Sequence, residues 1–137
     1  MEGGNPMELP IRLSKEAREP IYHQIEGQIK ALIASGQLPE GSPLPSIRVL
    51  SKDLGISVIT TRRAYQDLEY QGFIETVQGK GTFVAAVEET RKDRVKMETV
   101  FKAIEKAVET ARRHDYTIEE IEEVFQQVMT ELKGREE

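Results

Sequence analysis

The 137-residue sequence predicts a mainly α-helical chain with a small β-hairpin: three short helices, the hairpin, then two longer helices. Three observations predict it. Apolar residues recur at helical spacing in three short windows between residues 20 and 71. The period changes from 3.6 to 2 over residues 73–86, around a glycine-containing connection. Beyond residue 88, two long windows return to helical spacing with a narrow apolar seam on each.

Pro20 suits the first turn of a helix. Ile21, Ile25, Ile29, Leu32 and Ile33 follow at spacings of 4, 4, 3 and 1, and Gly36 stops the stripe. Residues 38–45 hold too much proline and glycine for a helix or a central strand, and read as a loop. Ser46 is the cap candidate of a second helix with Ile47, Leu50 and Leu54 on one face, ended by Gly55. Ser57 is the next cap candidate. It opens a third helix from about Val58 to Gln71, with Thr61, Ala64, Tyr65 and Leu68 inward and Gly72 at its close. Residues 73–77 and 82–86 read as strands joined by Gln78-Gly79-Lys80-Gly81. Helix, helix, helix, hairpin, in that order, is a winged helix-turn-helix.

The C-terminal stretch differs. Met97, Phe101, Ile104, Val108 and Ala111 are spaced 4, 3, 4 and 3, and Ile118, Ile121, Phe125, Val128 and Leu132 are spaced 3, 4, 3 and 4. The first helix fades at Arg112-Arg113-His114, cations suited to a helix C-terminus. The second opens on a capping box, Thr117-Ile118-Glu119-Glu120, with Tyr116 and Ile121 at the hydrophobic-staple positions. Two such helices carry more apolar surface than one hairpin hides. The expectation is a C2 homodimer through Met97, Phe101, Ile104, Val108, Ile121, Phe125, Val128 and Leu132. The expected division is a flexible tail at 1–10, a winged helix-turn-helix domain at 11–87 and a two-helix dimerisation or effector domain at 88–137.

Composition narrows the function. Without cysteine there is no disulfide framework, thiol catalysis or Cys-based metal site. His23 and His114 are isolated and lack spaced carboxylate partners, so no metal site is expected. The acidic run at 119–123 reads as a solvated helix face. There is no nucleophile–base pattern and no phosphate-cradling glycine loop, so neither enzymatic activity nor a cofactor is expected. No apolar run approaches the roughly 18–20 residues of a membrane span, and MEGGNPMELP lacks the basic start and apolar stretch of a secretory signal. A cytoplasmic protein without a membrane partner is the expectation. Net charge is −5, but its distribution matters more. Residues 88–137 carry 10 basic against 14 acidic side chains, whereas residues 44–84 carry 5 against 4.

The tightest local signal runs from Leu50 to Thr61. A helix-turn-helix needs a small residue in its first helix and a glycine in its turn, and Ser51 and Gly55 supply them. With Thr61, Ala64, Tyr65 and Leu68 inward, the outward set of the next helix includes Val58, Ile59, Thr60, Arg62, Arg63 and Gln66. In a major groove, the N-terminal members of that set face base edges. Ser46 and Ser57, or the amides beside them, are candidates to hold phosphate, and Gln78, Gly79 and Lys80 form the wing tip. Double-stranded DNA is the expected partner. A winged helix serving as a protein-docking module is the rival reading, and would leave duplex binding negligible even at low salt.

The runs Pro20-Ile21-Tyr22-His23-Gln24-Ile25, Leu44-Pro45-Ser46-Ile47-Arg48-Val49-Leu50, Leu54-Gly55-Ile56-Ser57 and Gly79-Lys80-Gly81-Thr82-Phe83-Val84 fall in the order of the GntR family of bacterial transcription regulators, which the chain resembles over residues 20–86. The short two-helix tail resembles the YtrA subfamily. The resemblance implies a sequence-specific regulator, a homodimeric repressor on a pseudo-palindromic operator, with transporter genes as targets. It implies DNA contacts from Arg48, from Ser57, Thr60 and Arg62, and from Gly79 and Lys80. One departure stands out: many relatives carry arginine directly after the cap serine, where this chain has Val58, which cannot make a bidentate guanine contact. A two-helix tail offers little room for a sizeable ligand pocket, so a small-molecule effector is left without assigned residues.

Overall fold

A computed structural model of the chain describes residues 8–136; residues 1–7 of the expected tail, and Glu137, lie outside the described residues. The chain divides into two units, Met1–Met97 and Glu98–Glu137.

The first unit holds helices α1 (Ile21–Ala34), α2 (Ile47–Leu54) and α3 (Val58–Tyr70), and strands β1 (Pro43–Leu44), β2 (Ile74–Val77) and β3 (Gly81–Val84). The sheet is antiparallel in the order β1-β3-β2. The helical stripe of α1 becomes a buried face of Ile25, Ile29 and Ile33, which joins Leu50 of α2 and Ala64, Tyr65 and Leu68 of α3. Phe73, Ile74 and Val84 close the core from the hairpin side. Each such aliphatic burial contributes about 1.5–3 kcal/mol against exposure.

Two differences from the sequence reading have physical causes. The loop at 38–45 ends in the two-residue strand β1, pairing Pro43 with Phe83 and Leu44 with Thr82. It is an edge strand, where a proline's missing N–H costs least, and it seats Leu44 in the core at 2% exposure. Leu9, placed in the tail by the expected division, is buried, next to the buried Ile11 that opens the expected domain. Two side-chain amides on α1 hold this segment. Gln28 accepts from Arg12 N at 2.9 Å and donates to the Arg12 carbonyl at 2.7 Å. Gln24 accepts from Ser14 N and donates to the Ser14 carbonyl, both at 2.8 Å. They satisfy backbone groups of a segment that has no strand partner.

One buried acid stands out between α1 and α3. Glu26 is 4% exposed and its Oε2 has no hydrogen-bond partner. Burial, and then Asp67 of α3, push its carboxyl up to about 7, against the pull of Lys30 and Gln71.

Helix α4 (Glu89–Arg113) runs from the first unit into the second, where α5 (Ile118–Glu136) follows. The capping box is present in full: Glu120 N donates to Thr117 Oγ1 at 3.1 Å, and Thr117 N to Glu120 Oε1 at 2.8 Å. Neither α4 nor α5 has a buried residue. Among the described residues no helix is long and apolar enough to cross a membrane.

Candidate nucleic-acid interface

The helix-turn-helix is fixed by caps and one hydroxyl pair. Ser46 caps α2 by accepting from Val49 N at 3.1 Å. Gly55 ends α2 at φ +68, the left-handed conformation that a side chain penalises, and Ile56 N returns to the Ser51 carbonyl at 3.0 Å. Ser57 then caps α3 by accepting from Thr60 N at 3.1 Å. Across the two helices Ser51 Oγ donates to Thr61 Oγ1 at 2.7 Å. Tyr65 donates its hydroxyl to the Pro45 carbonyl at 2.7 Å, tying α3 to the approach of α2; burial raises its phenol above the ordinary tyrosine range.

With Thr61, Ala64, Tyr65 and Leu68 buried, the opposite stripe of α3 is Ile59, Arg62, Arg63 and Gln66, at spacings of 3, 1 and 3. The wing turns at Gly79, φ +82, with Lys80 N donating to the Val77 carbonyl at 2.9 Å. An open cleft of about 520 Å³ lies between α3 and the wing. Ser46, Arg62, Gln66 and Lys80 line it, together with Glu69. That carboxylate is engaged by the wing: Thr76 donates its N–H at 3.2 Å and its hydroxyl at 3.4 Å. Its charge therefore fastens α3 to β2.

The predicted residues do not all meet. Arg48 and the first turn of α3, from Ser57 to Thr60, lie outside the cleft lining; Gln78 and Gly79 sit exposed at the wing turn. Arg48, Arg62 and Lys80 form no ion pair among the described residues. Arg63 is turned toward α1. Its guanidinium lies 4.2 Å from the Tyr22 ring centre, Nη2 donates to the Tyr22 hydroxyl at 3.4 Å, and Nε is 3.5 Å from Asp67 Oδ2. Gln66, named in the outward set of α3 but assigned no DNA contact, and Glu69, which the sequence reading did not name, both line the cleft. The signal for Gln66 was its spacing of four from Arg62; the acid sign of Glu69 hid its part. Among the described residues no group of His, Asp and Glu is placed to hold a metal.

In the tail the apolar residues predicted for an interface stay open. Met97, Phe101, Ile104, Phe125, Val128 and Leu132 are exposed, and Val108 and Ile121 are half-buried.

Comparison with known proteins accords with this arrangement. The profile of the bacterial regulatory proteins of the gntR family matches residues 21–84. The HTH-type transcriptional repressor YtrA of Bacillus subtilis (strain 168) is 29% identical over 90% of this chain and 95% of its own length. The repressor NagR of the same organism is 39% identical over 55% of this chain, but that match spans only 31% of NagR. The match to YtrA is long enough to take in much of the tail, whereas the match to NagR covers 75 residues. The solved structure of YtrA from Sulfolobus acidocaldarius, a GntR-family transcription factor, is 38% identical over 69% of this chain and 96% of that one, with a TM-score of 0.54. From the family profile over the helix-turn-helix and wing, and this agreement with nearly the whole of a solved member, the chain belongs to the GntR family of bacterial regulatory proteins.

Proposed function

We propose that the chain is a sequence-specific, DNA-binding transcriptional repressor that acts as a homodimer in the cytoplasm, each protomer laying α3 in one half-site of a pseudo-palindromic operator. The single observation that carries this reading is the stripe of Ile59, Arg62 and Gln66 on α3, facing the same side as a wing cleft lined by Arg62, Gln66 and Lys80. Cations at Arg48, Arg62 and Lys80, without an ion pair among the described residues, suit phosphate and base edges. Ser46, Ser57 and Thr60 order the two helix starts, with backbone amides there for phosphate. Val58 and Ile59 stand at the start of α3, and Gln78 and Gly79 bring the wing to the duplex. Arg63, engaged with Tyr22 and Asp67, serves the interface mainly by fixing α3 on α1.

The names of the relatives support the repressor role: YtrA and NagR of B. subtilis are both described as transcriptional repressors. The open seams of α4 and α5 support dimerisation, and a pseudo-palindrome calls for two α3 helices on half-sites about one DNA turn apart. Transporter genes next to its own are the targets that the YtrA resemblance suggests.

The test is a gel-shift titration on the DNA upstream of its own coding sequence, against a scrambled duplex of the same composition. Tighter binding to the upstream duplex, falling steeply with salt, is expected. Equal affinity for both, or negligible binding even at low salt, sinks the reading and favours a protein-docking module.

A further inference from the structure

The first turn of α3 offers methyl groups where polar groups are expected on a DNA-reading helix. Val58 and Ile59 are its first two residues, 38% and 78% exposed. Scattered apolar side chains are ordinary on a protein surface; these two are set apart by the state of their neighbours. The Ser57 and Thr61 hydroxyls of the same turn donate within the helix-turn-helix. Ser57 Oγ accepts from Thr60 N and donates to Thr60 Oγ1 at 2.9 Å. Thr61 is fully buried, accepts from Ser51 and donates to the Ser57 carbonyl at 3.3 Å. Beyond the Thr60 hydroxyl, which already accepts from Ser57, the next polar side chains on that face come a turn later, at Arg62 and then Gln66. Along its exposed stripe α3 therefore runs from aliphatic to guanidinium to amide.

Of the base edges in the major groove, only the C5-methyl of thymine is apolar; the other groups are donors or acceptors. An aliphatic side chain gains by covering that methyl. Placed over a donor or acceptor, it strips water and returns no hydrogen bond. Resting on the reading of α3 as the DNA-reading helix, we propose that Ile59, with Val58 beside it, determines specificity by selecting a thymine at a fixed position of each half-site through its 5-methyl group. Recognition of purine edges falls to Arg62 and Gln66, further along the same face.

The experiment needs no known operator. The full chain enriches its own sites from a library of random duplexes, and each thymine of the enriched site is then replaced by deoxyuracil, which removes the methyl and keeps every hydrogen-bonding group. One such replacement, in a single half-site, is expected to weaken binding about three- to tenfold, the scale of one buried methyl group. In Ile59→Ala, whose fold is checked by circular dichroism, the same replacement is expected to change affinity less than twofold. At that position 5-methylcytosine paired with guanine is expected to bind more tightly than unmethylated cytosine paired with guanine, since the two differ only by the methyl. The proposal is overturned if a sequence is enriched but no uracil replacement weakens binding, or if Ile59→Ala keeps the full thymine preference. Failure to enrich any sequence overturns the DNA-reading role itself, and this inference with it.

Discussion

Ser51 on α2 and Thr61 on α3 share a hydrogen bond of 2.7 Å in a site where both residues are buried. Their small side chains let the two helices close on each other, and the hydroxyls satisfy one another where water is excluded. Ser51→Ala keeps the close approach and leaves Thr61 its bond to the Ser57 carbonyl, so a loss of about 1 kcal/mol is expected. Ser51→Leu forces the helices apart and is expected to cost about 3 kcal/mol or more. Urea unfolding of the two variants checks the order. An equal cost for both would mean that the hydroxyl, and not the space, sets the stability of the pair.

Arg62 and Lys80 line the same cleft, yet their losses should differ in kind. Arg62 lies on the stripe proposed to meet base edges. Arg62→Ala is expected to cost about 1–3 kcal/mol on the specific duplex and to relax preference at one base pair. Lys80 stands on the wing. Lys80→Ala is expected to weaken specific and scrambled duplexes alike and to lower the salt slope by about 1. Anisotropy titrations at several salt concentrations separate the two. A specificity change in Lys80→Ala, with none in Arg62→Ala, would reverse the assignments.

The buried acid Glu26 makes stability depend on pH. Its carboxyl sits at about 7 in the folded chain against an ordinary 4.5, because burial and Asp67 disfavour the charge. A raised folded value favours folding while the group is protonated. That contribution is fully present below about pH 4.5 and lost as pH rises through about 7. Glu26→Gln removes the titration and keeps the shape. Relative to this variant, the wild type is expected to lose about 1–3 kcal/mol between pH 5 and pH 8. Urea midpoints of both proteins at each pH give the difference directly, and parallel profiles would show that Glu26 ionises freely.

Most of the first unit was legible because its signals are local. Ser46, Gly55 and Ser57 announce cap, turn and cap within twelve residues, and the inward set Thr61, Ala64, Tyr65 and Leu68 is buried as its spacing implied. What escaped depends on distant partners. Pro43 and Leu44 form a strand only because the edge of β3 is open to them, and Leu9 is buried only because α1 offers Gln24 and Gln28 to hold the segment beside it. The orientation of Arg63 was likewise hidden: its partner Tyr22 lies 41 residues earlier, where no period links them. The partner of Glu26, Asp67, is equally remote in sequence.

The open seams of the tail give the last prediction. Phe101 and Phe125 are 66% and 48% exposed, and no residue of α4 or α5 is buried. Apolar faces of this extent on two helices are costly in water unless something covers them. A second copy has the matching surface, since a C2 interface presents the same patch from both sides. Phe101→Glu and Phe125→Glu, singly and together, are therefore expected to shift the sedimenting species from dimer to monomer. The core of the first unit contains neither residue, so its thermal transition should persist. Operator affinity should fall far more than any single contact explains, because losing the second half-site removes an effective-concentration gain of about 10²–10⁴. A half-site duplex, by contrast, should bind the double variant and the wild type almost equally. If the double variant still sediments as a dimer at micromolar concentration, the dimer is held elsewhere and the seams have another occupant.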